Sequence, residues 1–310
     1  MTESTPTASP GAAGSYPGVR CPDRTRRVDS DGISLAVYEW GEESAPPLLL
    51  AHGGFDFAQT FDVFAPMLAD GGWRVVSWDQ RGHGDSEHSA LYSWQADCRD
   101  ATAVLDATSR EPVAAVGHSK GGGLLLNLVH ALPERFTGYV AIEGLPAEPD
   151  AESADLQFHN RFTEGIASDW LDHRRRIHGK ERRPDTLDGL ARRRARMNPR
   201  LSHEWLRYLV SVGAHQDAEG WRWRTDPALR FGGVGPFRPS WTLRWLPEFP
   251  RPLLGILGSA IEAMSMGATP ENLAPHLPAG ARIETLEDAG HFAHIERPRC
   301  VADLVLEFLS

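Results

Sequence analysis

The sequence predicts an α/β fold: a mostly parallel sheet flanked by helices, interrupted late by a helical insertion. Three observations predict it. Short apolar runs alternate with stretches of helical period, as parallel sheets with crossover helices require. One run leads into Gly117-His118-Ser119-Lys120-Gly121 and gives way at once to a helical pattern. A segment rich in Arg and Trp separates the fifth apolar run from the sixth.

Taken in order, residues 1–19 lack a basic start and an apolar core, so they read as a disordered tail and not as a secretory leader. Ile33–Trp40 follows an Asp-Gly turn and reads as a strand. Pro47–His52, Trp73–Asp79, Pro112–Gly117 and Tyr139–Glu143 continue the series, and Pro252–Leu257 resumes it after the gap. Trp94, Cys98, Ala101 and Leu105 share one helical stripe; Val301, Leu304, Val305 and Phe308 make another near the end. The expected division is a core of residues 20–144 and 246–310, with a helical cap of residues 145–245 between its parts. Ligands of such sheets bind outside the carboxyl ends of the strands, so a cap there would roof the site.

The chain has 310 residues, 41% of them apolar, enough for one large core and an insertion. Its formal charge of −10 argues against a nucleic-acid surface. Eleven Lys/Arg and four Asp/Glu lie between Asp172 and Arg200, so that stretch is a solvated basic face or one that attracts anionic or polar ligands. No apolar run approaches the roughly 18 residues of a membrane span, and no internal repeat is present. Cys21, Cys98 and Cys300 have no metal-like spacing and suit a reducing cytoplasm; Cys98 and Cys300 fall in helical apolar patterns as small core residues. Gly232-Gly233-Val234-Gly235 follows no strand, which argues against a nucleotide loop. Trp221, Trp223, Trp241 and Trp245 read as the core of the insertion, with an aromatic ligand cage as the alternative.

Gly117-His118-Ser119-Lys120-Gly121 matches G-x-S-x-G in the context that motif needs, between a strand and a helix. A Ser at such a sharp turn lifts its hydroxyl clear of the sheet, beside helix amides that can stabilise an anion. Ser119 is therefore the candidate nucleophile. His52-Gly53-Gly54-Phe55 ends an earlier strand, and the amides of Gly54 and Lys120 are the candidate oxyanion hole. Ala289-Gly290-His291-Phe292 supplies a late His, so His291 is the candidate base, with His294 the structural alternative. The acid is open between two residues. Glu143 closes a strand 24 residues after Ser119, and Glu262 precedes His291 by 29 residues. Either could fix the imidazole tautomer, and Glu143 is preferred because a strand end is held by its ladder.

With these residues the chain resembles the α/β-hydrolase superfamily over nearly its whole length after the tail. Trp78-Asp79-Gln80-Arg81-Gly82-His83-Gly84-Asp85-Ser86 is similar to that family's D-x-R-G-x-G-x-S turn, a structural element behind the oxyanion loop. Met197-Asn198-Pro199-Arg200-Leu201-Ser202 and Trp223-Arg224-Thr225-Asp226-Pro227 resemble the cap of its serine hydrolase-like subfamily. Many members carry an Asp after the late strand, where this chain has only Glu262. One subgroup of haloalkane dehalogenases, and the zearalenone lactonases, carry a Glu at the slot of Glu143. The resemblance implies a serine hydrolase acting on a small apolar or aromatic ester or lactone, with no cofactor, metal, nucleic acid or membrane partner, and leaves self-association open. Carbon–carbon bond hydrolysis, cofactor-free peroxidation and ligand binding without catalysis are the alternatives on the same fold. Dehalogenases and epoxide hydrolases would need an Asp in place of Ser119.

Overall fold

A computed structural model of the chain describes residues 16–147, 164–229, 239–260, 262, 265 and 267–310. The expected tail up to residue 15, the Gly232–Pro239 loop up to residue 238, Met264 and Met266 lie outside them. Ten strands are present among the described residues: β1 (Arg24–Ser30), β2 (Ile33–Trp40), β3 (Pro47–Ala51), β4 (Arg74–Trp78), β5 (Val113–His118), β6 (Phe136–Ile142), β7 (Ala214–Asp217), β8 (Gly220–Trp223), β9 (Leu253–Gly258) and β10 (Arg282–Leu286). Eight form one sheet in the order β1-β2-β4-β3-β5-β6-β9-β10. From β4 to β10 every pairing is parallel, whereas β1–β2 and β2–β4 are antiparallel.

The central strands are apolar on both faces because helices cover both. Leu49, Ala51 and Ala115 point into one core, while Leu48, Leu50, Ala114 and Val116 point into the other, the two-residue alternation of a strand. Helices α1 (Phe64–Asp70) and Pro298–Leu309 pack on the second face; α2 (Trp94–Thr108) and α3 (Lys120–Ala131) pack on the first. Within this sheet, the two strands absent from the sequence reading are its edges. In β1 (RTRRVDS) only Val28 and Ser30 are buried, and no residue of β10 (RIETL) is. Charged edge strands resist pairing with other chains, and the same charges erase the apolar signal.

Between β6 and β9 the described residues form helices Glu164–Ile177, Leu187–Ala195, His203–Gly213 and Pro239–Trp245, together with the β7–β8 hairpin. That hairpin departs from the all-helical expectation. Trp221 and Trp223 stand two residues apart, a strand's period. Trp205, Leu206 and Leu209 centre a third core, joined by Phe57 and Phe292 from the sheet's loops. Tyr16 and Val19, counted with the tail, pack there too, with the Tyr16 and Trp205 rings 4.8 Å apart. The four Trp residues do not form one core. Trp221 and Trp223 join this cluster, Trp241 is exposed, and Trp245 packs against the sheet and stacks on His130. Cys300 is exposed, not a core thiol, because its helix turns Val301, Ala302 and Val305 inward instead. No helix among the described residues is long and apolar enough to cross a membrane.

Candidate active site

Ser119 links β5 to α3 with φ 51 and ψ −120, a backbone that side-chain-bearing residues adopt at a cost of about 1–3 kcal/mol. Its amide donates to the Ile142 carbonyl at 3.0 Å, which pins the turn to the end of β6. The flanking glycines are steric necessities. A Cβ at Gly117 would sit 2.6 Å from the Gly121 carbonyl oxygen, and one at Gly121 would sit 2.4 Å from that of Ala51. A Ser at a helix N-cap ordinarily accepts from an amide of the first turn. This one does not, and among the described residues its hydroxyl has no hydrogen-bond partner. The side chain is thus uncommitted at the positive end of α3.

His291 lies in the loop before the short helix Ala293–Glu296 and is buried. His118, next to Ser119, donates from Nε2 to the His291 carbonyl at 2.8 Å, and the two rings stand 4.9 Å apart. The imidazole Nδ1 faces Glu143 Oε2 at 3.2 Å, while Glu143 Oε1 accepts from the Gly258 amide at 2.8 Å. Glu143 sits one residue past β6 with φ 49, so it follows the strand rather than ending it. Since His118 pairs with Ile142 in register, Ser119 and Glu143 leave the sheet side by side. Glu262 also reaches His291, but at the backbone: Oε2 accepts the His291 amide at 2.8 Å. No Ser119–His291 hydrogen bond is formed, a contact that in unliganded enzymes often tightens only with substrate.

Gly54 and Lys120 stand on the two turns that flank Ser119's strand end. Lys120 is the first residue of α3, whose opening amides have no acceptor within the helix. Its ammonium is turned away, to Gln80 Oε1 at 2.7 Å and Asp97 at 2.8 Å. Gln80 in turn donates to the His52 carbonyl and, from its amide, to His52 Nε2. The loop Gly53–Asp56 carries Phe55 at φ 62, whose amide donates to His83 Nε2 at 3.2 Å. Gln80 and His83 come from the Trp78–Ser86 turn, which therefore lies directly behind this loop. The sequence reading did not single out Asp56 or Arg194. Asp56 is buried and paired with Arg194 from helix Leu187–Ala195. The two residues are 138 positions apart, and no spacing rule could have joined them.

Four buried histidines stand around these loops and are held neutral by loss of hydration. Burial pushes His52 and His294 down to about 3, and His83 and His118 well below the ordinary value. Burial acts oppositely on carboxyls, raising Asp56, Asp79 to about 6 and Asp62 to about 8. The linkage signs differ. Below about pH 6.5 the unfolded histidines take up protons that the folded ones refuse, so their contribution is lost on acidification. The carboxyls stabilise at acid pH and lose that contribution as pH rises through their folded values. Around pH 5 the unfolded chain should hold a net excess of about one to two protons. Unfolding free energy, from urea titrations, should therefore fall by roughly 1–3 kcal/mol per unit between pH 6 and 4.5. A flat profile would mean that the buried histidines do not outweigh the buried carboxyls, against this expectation.

Comparison with known proteins places the fold in a known family. A family model described as the alpha/beta hydrolase fold matches residues 46–298. Epoxide hydrolase A of Mycobacterium tuberculosis is 36% identical over 147 residues, 46% of this chain and 45% of that protein. A serine hydrolase-like protein of Dictyostelium discoideum is 31% identical over 133 residues, 41% of this chain and 37% of that protein. The match thus spans less than half the length of either relative. The solved thioesterase domain from the curacin biosynthetic pathway superposes with a TM-score of 0.75 at 24% identity, over 91% of this chain and 99% of that one, a likeness of fold. A family match that runs from before β3 to the final helix, on a sheet that turns from β5 into α3 through G-x-S-x-G, makes this chain a member of the α/β-hydrolase fold family.

Proposed function

We propose that this protein is a serine hydrolase that cleaves a carboxylic ester or lactone of a small apolar or aromatic molecule through an acyl-enzyme. The observation that carries the reading is the uncommitted Ser119 hydroxyl at a strained turn, beside a buried His291 whose Nδ1 faces a carboxylate. A serine that neither caps its helix nor bonds its neighbours has no structural use for its hydroxyl. In the mechanism, His291 Nε2 takes the proton as Ser119 Oγ attacks the carbonyl carbon. The oxyanion is received by the Gly54 and Lys120 amides. His291 returns the proton to the departing alcohol oxygen, which leaves the acyl group on Ser119. Water, deprotonated by the same imidazole, then attacks the acyl carbon; the imidazolium gives that proton to Ser119 Oγ as the acyl–oxygen bond breaks and the acid is released. The mechanism uses no metal or cofactor. Glu143 holds Nδ1 protonated throughout, and steadies the imidazolium. Ser119 sets this chemistry apart from that named for the mycobacterial relative, since epoxide opening on this fold requires an Asp nucleophile.

The insertion between β6 and β9 would serve as the cap, because Phe57 and Phe292, which adjoin the oxyanion loop and His291, pack into its core. A roof over the site would favour small molecules over polymers. The three free cysteines fit a reducing, cytoplasmic setting. A fluorophosphonate should label the folded protein on Ser119, as read by peptide mass spectrometry, and a panel of esters, lactones, amides and dienoates should then give its best rates on esters or lactones. Absence of labelling, or turnover of dienoates alone, would overturn the proposal.

A further inference from the structure

The loop that carries Gly54 is held from two sides, and one hold comes from the insertion. Phe55, a bulky residue in left-handed backbone, needs such support, since that conformation costs about 1–2 kcal/mol outside glycine. From the sheet side, His83 Nε2 accepts the Phe55 amide at 3.2 Å. From the insertion, Arg194 Nη1 donates to the Phe55 carbonyl at 3.2 Å and Nη2 donates to Asp56 Oδ1. Both polar groups of the strained residue are thus taken by side chains from distant segments. Asp56 is buried, so its carboxylate needs a counter-ion, and Arg194 is the cation that hydrogen-bonds it. The planar guanidinium spans a carbonyl and a carboxylate on neighbouring residues at once, which an ammonium cannot copy.

From this geometry we infer that Arg194 is a positioning residue. It locks the Gly53–Asp56 loop so that the Gly54 amide keeps its aim at the oxyanion, and it thereby couples seating of the insertion to catalytic competence. The inference rests on the serine-hydrolase reading for its kinetic consequence, though not for the rigidity of the loop. A donor aimed at developing charge matters mainly in the transition state, so loosening it lowers kcat more than it raises KM.

The test compares Arg194→Met, Arg194→Lys and Arg207→Met with the wild type. Arg207, on helix His203–Gly213, pairs with Asp188 and controls for loss of any insertion arginine. On p-nitrophenyl butyrate, Arg194→Met should lose about 10- to 100-fold in kcat with KM within about threefold. Arg194→Lys should recover part of the loss, and Arg207→Met should match wild type. Amide exchange of the peptide containing Gly53–Asp56 should quicken by about tenfold or more in Arg194→Met alone. Unchanged kcat and exchange, a raised KM with kcat intact, or an equal loss in Arg207→Met would overturn the inference. If Arg194→Met does not fold, Arg194→Lys carries the same comparison at smaller amplitude. A wild type that neither hydrolyses nor takes up a fluorophosphonate would defeat the serine-hydrolase reading instead, and the exchange data would still decide the role of Arg194 in the loop.

Discussion

Ser119→Ala should give a folded protein that no longer turns over an activated ester, with a loss on the order of 10⁴-fold or more. The expectation follows from what the hydroxyl does not do. It caps no helix and bonds to no described residue, so its removal takes away no structural contact. The strained backbone persists, since Ala carries the same Cβ, and melting temperature should stay within a few degrees. His291→Ala should lose activity comparably, because base and nucleophile act as a unit. His294→Ala should behave differently. That ring is buried 4.4 Å from His118 and 5.1 Å from Phe61, so its truncation opens a cavity and should lower stability by about 2–4 kcal/mol. Its effect on kcat should stay within about tenfold. Activity retained by a folded Ser119→Ala protein would end the serine mechanism, and reversed ranks for the two histidines would move the base to His294.

The parts of the fold that were legible are those whose two sides face protein. β3, β5 and β9 are covered above and below, so each reads as an unbroken apolar run. Edge strands β1 and β10 face solvent and carry arginines and acidic residues at the positions a reader would scan for core. The β7–β8 hairpin hid among arginines and tryptophans because four-residue strands leave too short a pattern to set a period. In the site, Ser119 announced itself through glycines that its own turn makes obligatory. The contacts that hold the loops are another matter. His83 beneath Phe55 and Arg194 above it depend on chain segments that meet only after folding, and each of those residue types is common on surfaces. The distinction between Glu143 and Glu262 was equally out of reach, because both touch His291 and differ only in which atom they touch.

That difference in atoms sets the second large effect. Glu143→Gln should cost about 10²–10⁴-fold in kcat, as a neutral amide at this position can present its NH₂ to Nδ1 and stabilise the wrong tautomer. The Gly258 amide already holds the other oxygen, so the Gln side chain would sit with its carbonyl on Gly258 and its NH₂ on the imidazole. Glu262→Gln should lose less than about tenfold, because an amide oxygen can still accept the His291 backbone N–H. Glu262→Ala removes that acceptor, leaves a part-buried amide without its partner, and should cost more than Glu262→Gln, chiefly in stability, by about 1–3 kcal/mol. The double Gln variant should track Glu143→Gln alone to within about tenfold, since only one of the two carboxylates acts on the ring. Values of kcat/KM on one activated ester, with fluorophosphonate labelling rates as a check on nucleophile reactivity, rank the four proteins. A collapse in Glu262→Gln beside a nearly normal Glu143→Gln would assign the imidazole's partner to the late loop, and the 3.2 Å approach of Glu143 would then be a packing contact.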